Sequence, residues 1–283
     1  MKRLFAVFAH PDDEGAIAGT LAHYSQNGAH VALACATRGE SGEISDPTLA
    51  TPDTLGSIRE QELRCAAEAI GVDELHLLGY CDSGMIGTAD NERPTAFIQA
   101  DPDEVRFKLV NLIRQIKPHI VITFEPHGWY GHPDHIAAGR FTKEAFHLAY
   151  DPEAYPSAGN PWKPQRLYYA LLDLNQFGII FDYAREHGLD TSDFDALREE
   201  VAKIELPPVS HQLDVDEYFD IRNSATRCHR TQYGRDNLLL QVPDEVRRQA
   251  GKSEIFSQIY PEINDLLPVK DDLFEGIDPH ILR

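Results

Sequence analysis

Basic side chains are scarce in this sequence: 26 Lys and Arg stand against 46 Asp and Glu, a formal net charge of −20 over 283 residues with the 13 His counted as neutral. A broad positive surface for nucleic acid or for an anionic membrane is thereby excluded. Cysteine is sparse too. The four residues Cys35, Cys65, Cys81 and Cys228 contain no C-x-x-C pair, so neither a disulfide framework nor a structural zinc knuckle is expected. They read as ordinary thiols in or near the core. No apolar run approaches the roughly 18 residues that span a bilayer. The opening MKRLFAVFA has the charge and apolar stretch of a secretory leader, but Leu4–Ala9 is too short and runs straight into His10-Pro11-Asp12-Asp13-Glu14. A cytoplasmic address is expected. Phosphate-cradling G-x-G-x-x-G and P-loop patterns are missing as well.

What is present is the composition of an ordinary globular protein, 42% hydrophobic and 25% charged. Short Val/Ile/Leu/Phe-rich runs at Arg3–Ala9, His30–Ala36, Glu74–Leu78 and Ile120–Phe124 read as buried strands. Apolar residues at helical spacing fall between them. One face runs from Leu55 to Ile70 and stops at Gly71; another runs from Val105 to Ile116 and stops before Pro118; a third follows Pro133. Strands alternating with helices imply βαβ crossovers, so the expected fold is α/β, a Rossmann-like and mostly parallel sheet with helices on both faces. Beyond a Pro/Gly-rich loop at 152–164 come a strand from Gln165, helices over Gln176–His187 and Asp195–Ile204, a strand at His211–Val215, a helix over Asp216–Arg230 and a strand at Ser253–Tyr260. No linker separates the halves, so 1–283 is read as one domain: a catalytic core over 1–150 and a C-terminal extension over 151–283 that shapes the substrate side. Two long loops, Thr37–Asp53 and Gly79–Asp101, follow strands and are read as functional or mobile.

Two junctions carry chemistry. His10-Pro11-Asp12-Asp13-Glu14 closes the first strand and opens a helix, and His132-Pro133-Asp134-His135 follows the Ile120–Phe124 strand. Strand ends of this kind face the ligand crevice of an open α/β sheet. Proline followed by acids also suits an ordinary helix start, but capping needs one acid and no histidine. His10, Asp13 and His135 supply three ligands for a catalytic zinc with an open position. Asp12 is left as general base for a water on the metal, and His132 as proton donor to a leaving amine, its ring held by Asp134. The same two-histidine, one-carboxylate set also suits iron(II). A positioned base and acid favour hydrolysis over oxygen activation. A two-metal phosphoesterase usually needs more carboxylates, and a purely structural metal takes four ligands.

With AHPDDE near the amino terminus and YGHPDH beyond the fourth strand, the sequence resembles the LmbE-like, or PIG-L, zinc-dependent N-deacetylases, which include mycothiol- and bacillithiol-pathway enzymes. The resemblance implies His10, Asp13 and His135 as ligands of one zinc and Asp12 as base. It implies His132 as acid or electrostatic stabiliser, Asp134 as its partner, and Tyr130 at the oxyanion. TRGESGE places Glu40 near the site, and by the same resemblance Arg59 and Asp82 hold sugar hydroxyls. His229-x-Thr231-Gln232 echoes the mycothiol group, and Trp129 with Tyr130 is read as an aromatic wall against a sugar ring. The implied activity is removal of an N-acetyl group from a glucosamine-type sugar or conjugate, with a conjugate amidase on the same centre as the alternative. The implied partner is a small sugar molecule, with no nucleic acid and no membrane span. A homo-oligomer is compatible with all of this.

Overall fold

The computed structural model describes residues 1–192, 195, 198, 201, 204–234, 237–263 and 268–278. A seven-stranded sheet organises them. Its strands are β1 (Arg3–Phe8), β2 (His30–Cys35), β3 (Glu74–Leu77), β4 (Ile120–Phe124), β5 (Arg166–Leu171), β6 (His211–Asp214) and β7 (Ser253–Tyr260), in the spatial order β3-β2-β1-β4-β5-β7-β6. The first five strands are parallel, and β7 and β6 join antiparallel at the β5 edge. Strands of both halves of the chain therefore share one sheet. All five residues of β4, and β1 from Leu4 onward, are buried, as expected for parallel strands covered on both faces.

The covering helices are α1 (Ala18–Gln26), α2 (Leu55–Ile70), α3 (Pro102–Ile116), α4 (Pro133–Leu148), α5 (Leu174–Glu186), α6 (Phe219–Cys228) and α7 (Asp244–Ala250). Local chemistry sets their ends. Gly71 takes a left-handed φ of 88° to close α2. Asp101 caps α3 by accepting from the Asp103 N–H at 2.9 Å, with Pro102 in the first turn. The helix expected over Asp216–Arg230 is split into a 3₁₀ turn at Asp216–Tyr218 and α6. The one expected over Asp195–Ile204 lies largely outside the described residues.

The chain winds from β1 outward to β2 and β3, then returns to place β4 on the other side of β1, with Leu4 beside Ile120 and Ala6 beside Ile122. Between the carboxyl ends of β1 and β4 the winding reverses, which opens a crevice. His10 lies two residues past β1, and His132 and His135 flank the start of α4 just past β4. Gly139 lets α4 lie close on β4: a Cβ there would sit 2.8 Å from the Phe124 carbonyl oxygen. Backbone cannot yield to it, so Gly139→Ala is expected to cost roughly 1–3 kcal/mol and lower the melting temperature by roughly 2–10 °C in a thermal denaturation scan.

The four cysteines are not all free thiols. Cys65 on α2 and Cys228 at the end of α6 form a disulfide, while Cys35 and Cys81 are free. The two partners are 163 residues apart, and nothing local in the sequence announces the α2–α6 packing that joins them.

Candidate active site

The two His-Pro-Asp junctions meet. His10 Nδ1 lies 3.1 Å from His135 Nε2. Asp13 Oδ1 is 3.2 Å from His135 Nε2, and its Oδ2 is 3.6 Å from His10 Nδ1. All three side chains are buried. The outward nitrogens fix the tautomers. His10 Nε2–H donates to Asp134 Oδ2 at 3.2 Å, and His135 Nδ1–H donates to the Gly128 carbonyl at 3.3 Å. Both inward nitrogens are then lone pairs facing each other, an arrangement that repels unless a proton or a cation lies between them. Ligand atoms around a tetrahedral ion with bonds of about 2.0–2.1 Å stand roughly 3.3 Å apart, close to the separations found here. The His10–His135 pair, with Asp13 Oδ1 beside His135, has the spacing of ligands around a small divalent cation. Among the described residues, the groups of three that close within 4.8 Å are His10, His132 and His135, and His10, Asp82 and Asp134.

Electrostatics agree. Burial alone would pull the His10 imidazole down, but Asp134, Asp82 and Asp13 outweigh it and push the group up to about 10. Burial would raise the Asp13 carboxyl, yet His135 and His10 hold it well below the usual carboxylate range. A centre that takes up a proton this strongly has the surplus negative charge that a metal ion would neutralise.

Asp12 makes no capping bond and sits in a left-handed conformation with φ 104°, which a non-glycine residue holds only when its surroundings force it. Its amide N–H donates to Glu14 Oε2 at 3.0 Å, and its Oδ2 accepts from Arg59 Nη2 at 3.1 Å. Burial raises its carboxyl to about 6, with Arg59 opposing and Asp13 and Glu14 assisting. Tyr130 stands edge-on to His135, ring centres 5.1 Å apart; burial, then Asp13 and Asp12, push its phenol up, so the hydroxyl remains a donor.

Asp134 is not the partner of the His132 ring in the expected sense. Its carboxylate turns inward to His10 and accepts from the Ser83 N–H at 2.9 Å. His132 instead takes the N-cap position of α4, its Nδ1 accepting from the Asp134 backbone N–H at 3.2 Å. That leaves Nε2 as the protonated nitrogen of the neutral ring. Burial, His10 and His135 together lower His132 to about 4.

The expected sugar contacts are brought to the same place but turned on the protein. The Arg59 guanidinium, 3% exposed, donates to the carbonyls of Pro11 and Gly39 and to Asp12. Asp82 is buried, accepting from the Gly84 N–H at 2.8 Å and the Ser41 N–H at 3.2 Å, with His10 Nε2 3.5 Å away. Glu40 is half-buried and accepts from the Asp82 N–H at 3.0 Å. Trp129 is no wall: it is buried against Phe124, its Nε1–H donating to the Ala170 carbonyl at 3.0 Å. The sequence reading missed Glu125, which is fully buried and accepts from the Trp129 N–H at 2.6 Å, holding the turn before His132. An acid directly after an apolar strand was its only signal.

Fold and site together define a doubly wound α/β protein with a His/Asp centre at the point where the sheet reverses. A family model described as PIG-L: GlcNAc-PI de-N-acetylase matches residues 5–146. The chain is 34% identical over 290 residues to the 1D-myo-inositol 2-acetamido-2-deoxy-alpha-D-glucopyranoside deacetylase of Streptomyces avermitilis, covering 98% of each. It is 37% identical over 241 residues to the enzyme of the same name from Thermobispora bispora, covering 82% of this chain and 79% of the relative. The solved N,N'-diacetylchitobiose deacetylase of Pyrococcus horikoshii shares the fold with a TM-score of 0.63 at 21% identity, over 99% of this chain and 88% of that one. This chain belongs to the PIG-L family. Among the described residues, no helix is long and apolar enough to cross a membrane.

Proposed function

We propose that this chain removes the N-acetyl group from a glucosamine-type sugar conjugate, using one divalent metal ion held by His10, Asp13 and His135. The inward-facing donors of His10 and His135, 3.1 Å apart beside Asp13, carry the reading. Zinc suits this nitrogen and oxygen set, and iron(II) is the competing occupant. When bound, the ion lowers the pKa of a water and polarises the amide carbonyl. Asp12 takes the proton of the attacking water. Tyr130 and the Nε2–H of His132 donate to the oxygen as negative charge develops there, a kind of contact commonly worth roughly 3 kcal/mol per donor.

Two assignments change from the sequence reading. His132 as an imidazolium requires a pH near or below about 4, whereas Asp12 as a base requires one near or above about 6. The two states barely coexist, so His132 serves as the neutral donor and Asp12, once protonated, returns its proton to the leaving amine. Arg59 and Asp82 support Asp12 and His10, leaving half-buried Glu40 as the carboxylate suited to a sugar hydroxyl. Residues 151–283 belong with the same domain and shape the acceptor side. A cytoplasmic address is part of the proposal, and the Cys65–Cys228 disulfide is the feature most at odds with it, since disulfides are rare in that compartment.

The test is a panel of N-acetylated sugars and glucosamine conjugates, read as acetate and free amine, with metal analysis of the same sample. Release of equal acetate and amine from at least one glucosamine conjugate, abolished by a chelator and restored by zinc or iron(II), is expected. Amine release only from longer acyl amides would favour the conjugate-amidase alternative.

A further inference from the structure

We propose that His229 is a positioning residue for Asp12, acting through the Glu14 carboxylate; the inference rests on the assignment of Asp12 as the base. Glu14 is 1% exposed and His229 2%. The Glu14 carboxylate bridges two groups. Oε2 accepts the Asp12 backbone N–H at 3.0 Å, and Oε1 accepts the His229 Nε2–H at 2.6 Å. The amide held in this way belongs to the residue with φ 104°. A backbone in that region persists only where neighbours over-determine it. One end of Glu14 holds the amide; the other end is held from 215 residues away.

The segment that carries His229 is itself anchored. Thr231 donates through its N–H and its hydroxyl to buried Glu62 on α2, at 2.8 and 2.6 Å. The adjacent Cys228 is cross-linked to Cys65 of the same helix. Helix α2 also carries Arg59, which grips the Asp12 carboxylate. The backbone and side chain of Asp12 are thus fixed by two arms, Glu14–His229 and Arg59, that share one foundation at the α2–α6 seam. His229 lies behind Glu14 and is enclosed, which makes it a support and not a substrate contact. Removing the imidazole leaves Glu14 Oε1 without its donor. The carboxylate is then free to turn, and the Asp12 amide loses its acceptor.

The experiment compares wild type, His229→Ala and His229→Gln as full-length, metal-loaded proteins. Kinetics are measured on the most active glucosamine conjugate, and hydrogen exchange on the peptide spanning residues 9–15. His229→Ala is expected to lower kcat roughly 30–100-fold, the scale of an ångström-level misplacement, with KM within about threefold of wild type and metal content unchanged. Exchange across 9–15 should quicken about tenfold or more, with little change in the rest of the sheet. The side-chain amide of His229→Gln can still donate to Glu14, so it should recover most of both losses; a purely structural role predicts no such rescue. Unchanged exchange across 9–15 in folded His229→Ala, a rise in KM at constant kcat, or a Gln variant as impaired as Ala would each overturn the proposal. Should His229→Ala fail to fold, His229→Leu keeps most of the side-chain volume while removing the donor to Glu14, and unaltered exchange there overturns it equally. If wild type releases no acetate from any conjugate, the functional reading fails, while the exchange measurement still decides the positioning.

Discussion

Replacing Asp12 with Ala is expected to leave metal content at the wild-type level while lowering kcat by roughly 10²–10⁴-fold, the range typical of a lost acid–base group. The separation of effects follows from where the carboxylate points. Its Oδ2 is paired with Arg59 at 3.1 Å, whereas the inward nitrogens of His10 and His135 face Asp13. Asp12 is therefore beside the proposed ligand set and not in it. Elemental analysis and acetate release on the same preparation check both halves, and joint loss of metal and turnover would make Asp12 a ligand. The pH profile adds a sign. Burial raises the Asp12 carboxyl to about 6, and a base works only once deprotonated. Activity should rise with pH and level off above about 6, and a neighbouring cation can only move that rise downward. A rise centred above about 7 would assign the base to another group.

The second large effect is expected at His135. Its ring is fully buried, stacked on Phe124 at 4.2 Å and tilted by 14°, and its two nitrogens reach Gly128 and the His10–Asp13 pair. His135→Ala should weaken metal binding by more than the roughly 10–100-fold that changes around a metal's ligands typically cost, with activity lost in parallel. The ring also fills space, so a cavity penalty of a few kcal/mol accompanies the loss. Metal stoichiometry must therefore be read on protein shown to be folded by circular dichroism. Full metal content in folded His135→Ala would remove this residue from the ligand set and turn attention to His132, the other imidazole within reach of His10.

Much of this was legible because it is local. The Leu4–Ala9 and Ile120–Phe124 runs fix β1 and β4, parallel winding makes them neighbours, and that alone brings His10 to His135. What escaped the sequence reading depends on contacts with no local pattern. Glu62 meets Thr231 and Cys65 meets Cys228 because α6 packs on α2, and Glu14 meets His229 because α6 also packs on the Asp13–Ile17 turn before α1. Adjacency misled at Asp134: a residue in the first turn of a helix presents its amide to its neighbour's cap, while its carboxylate is free to point elsewhere, here to His10. Trp129 misled for a related reason. Its indole N–H finds a strand carbonyl, and that draws the ring into the core and away from the crevice.

The way α4 begins bears directly on its chemistry. The positive end of that helix's macrodipole falls on His132, and the lone pair on Nδ1 answers it. A doubly protonated ring would surrender that lone pair and add like charge to like. The first turn of α4 thus opposes imidazolium formation at His132. The element that seats this side chain also sets its tautomer, with the proton of the neutral ring on Nε2.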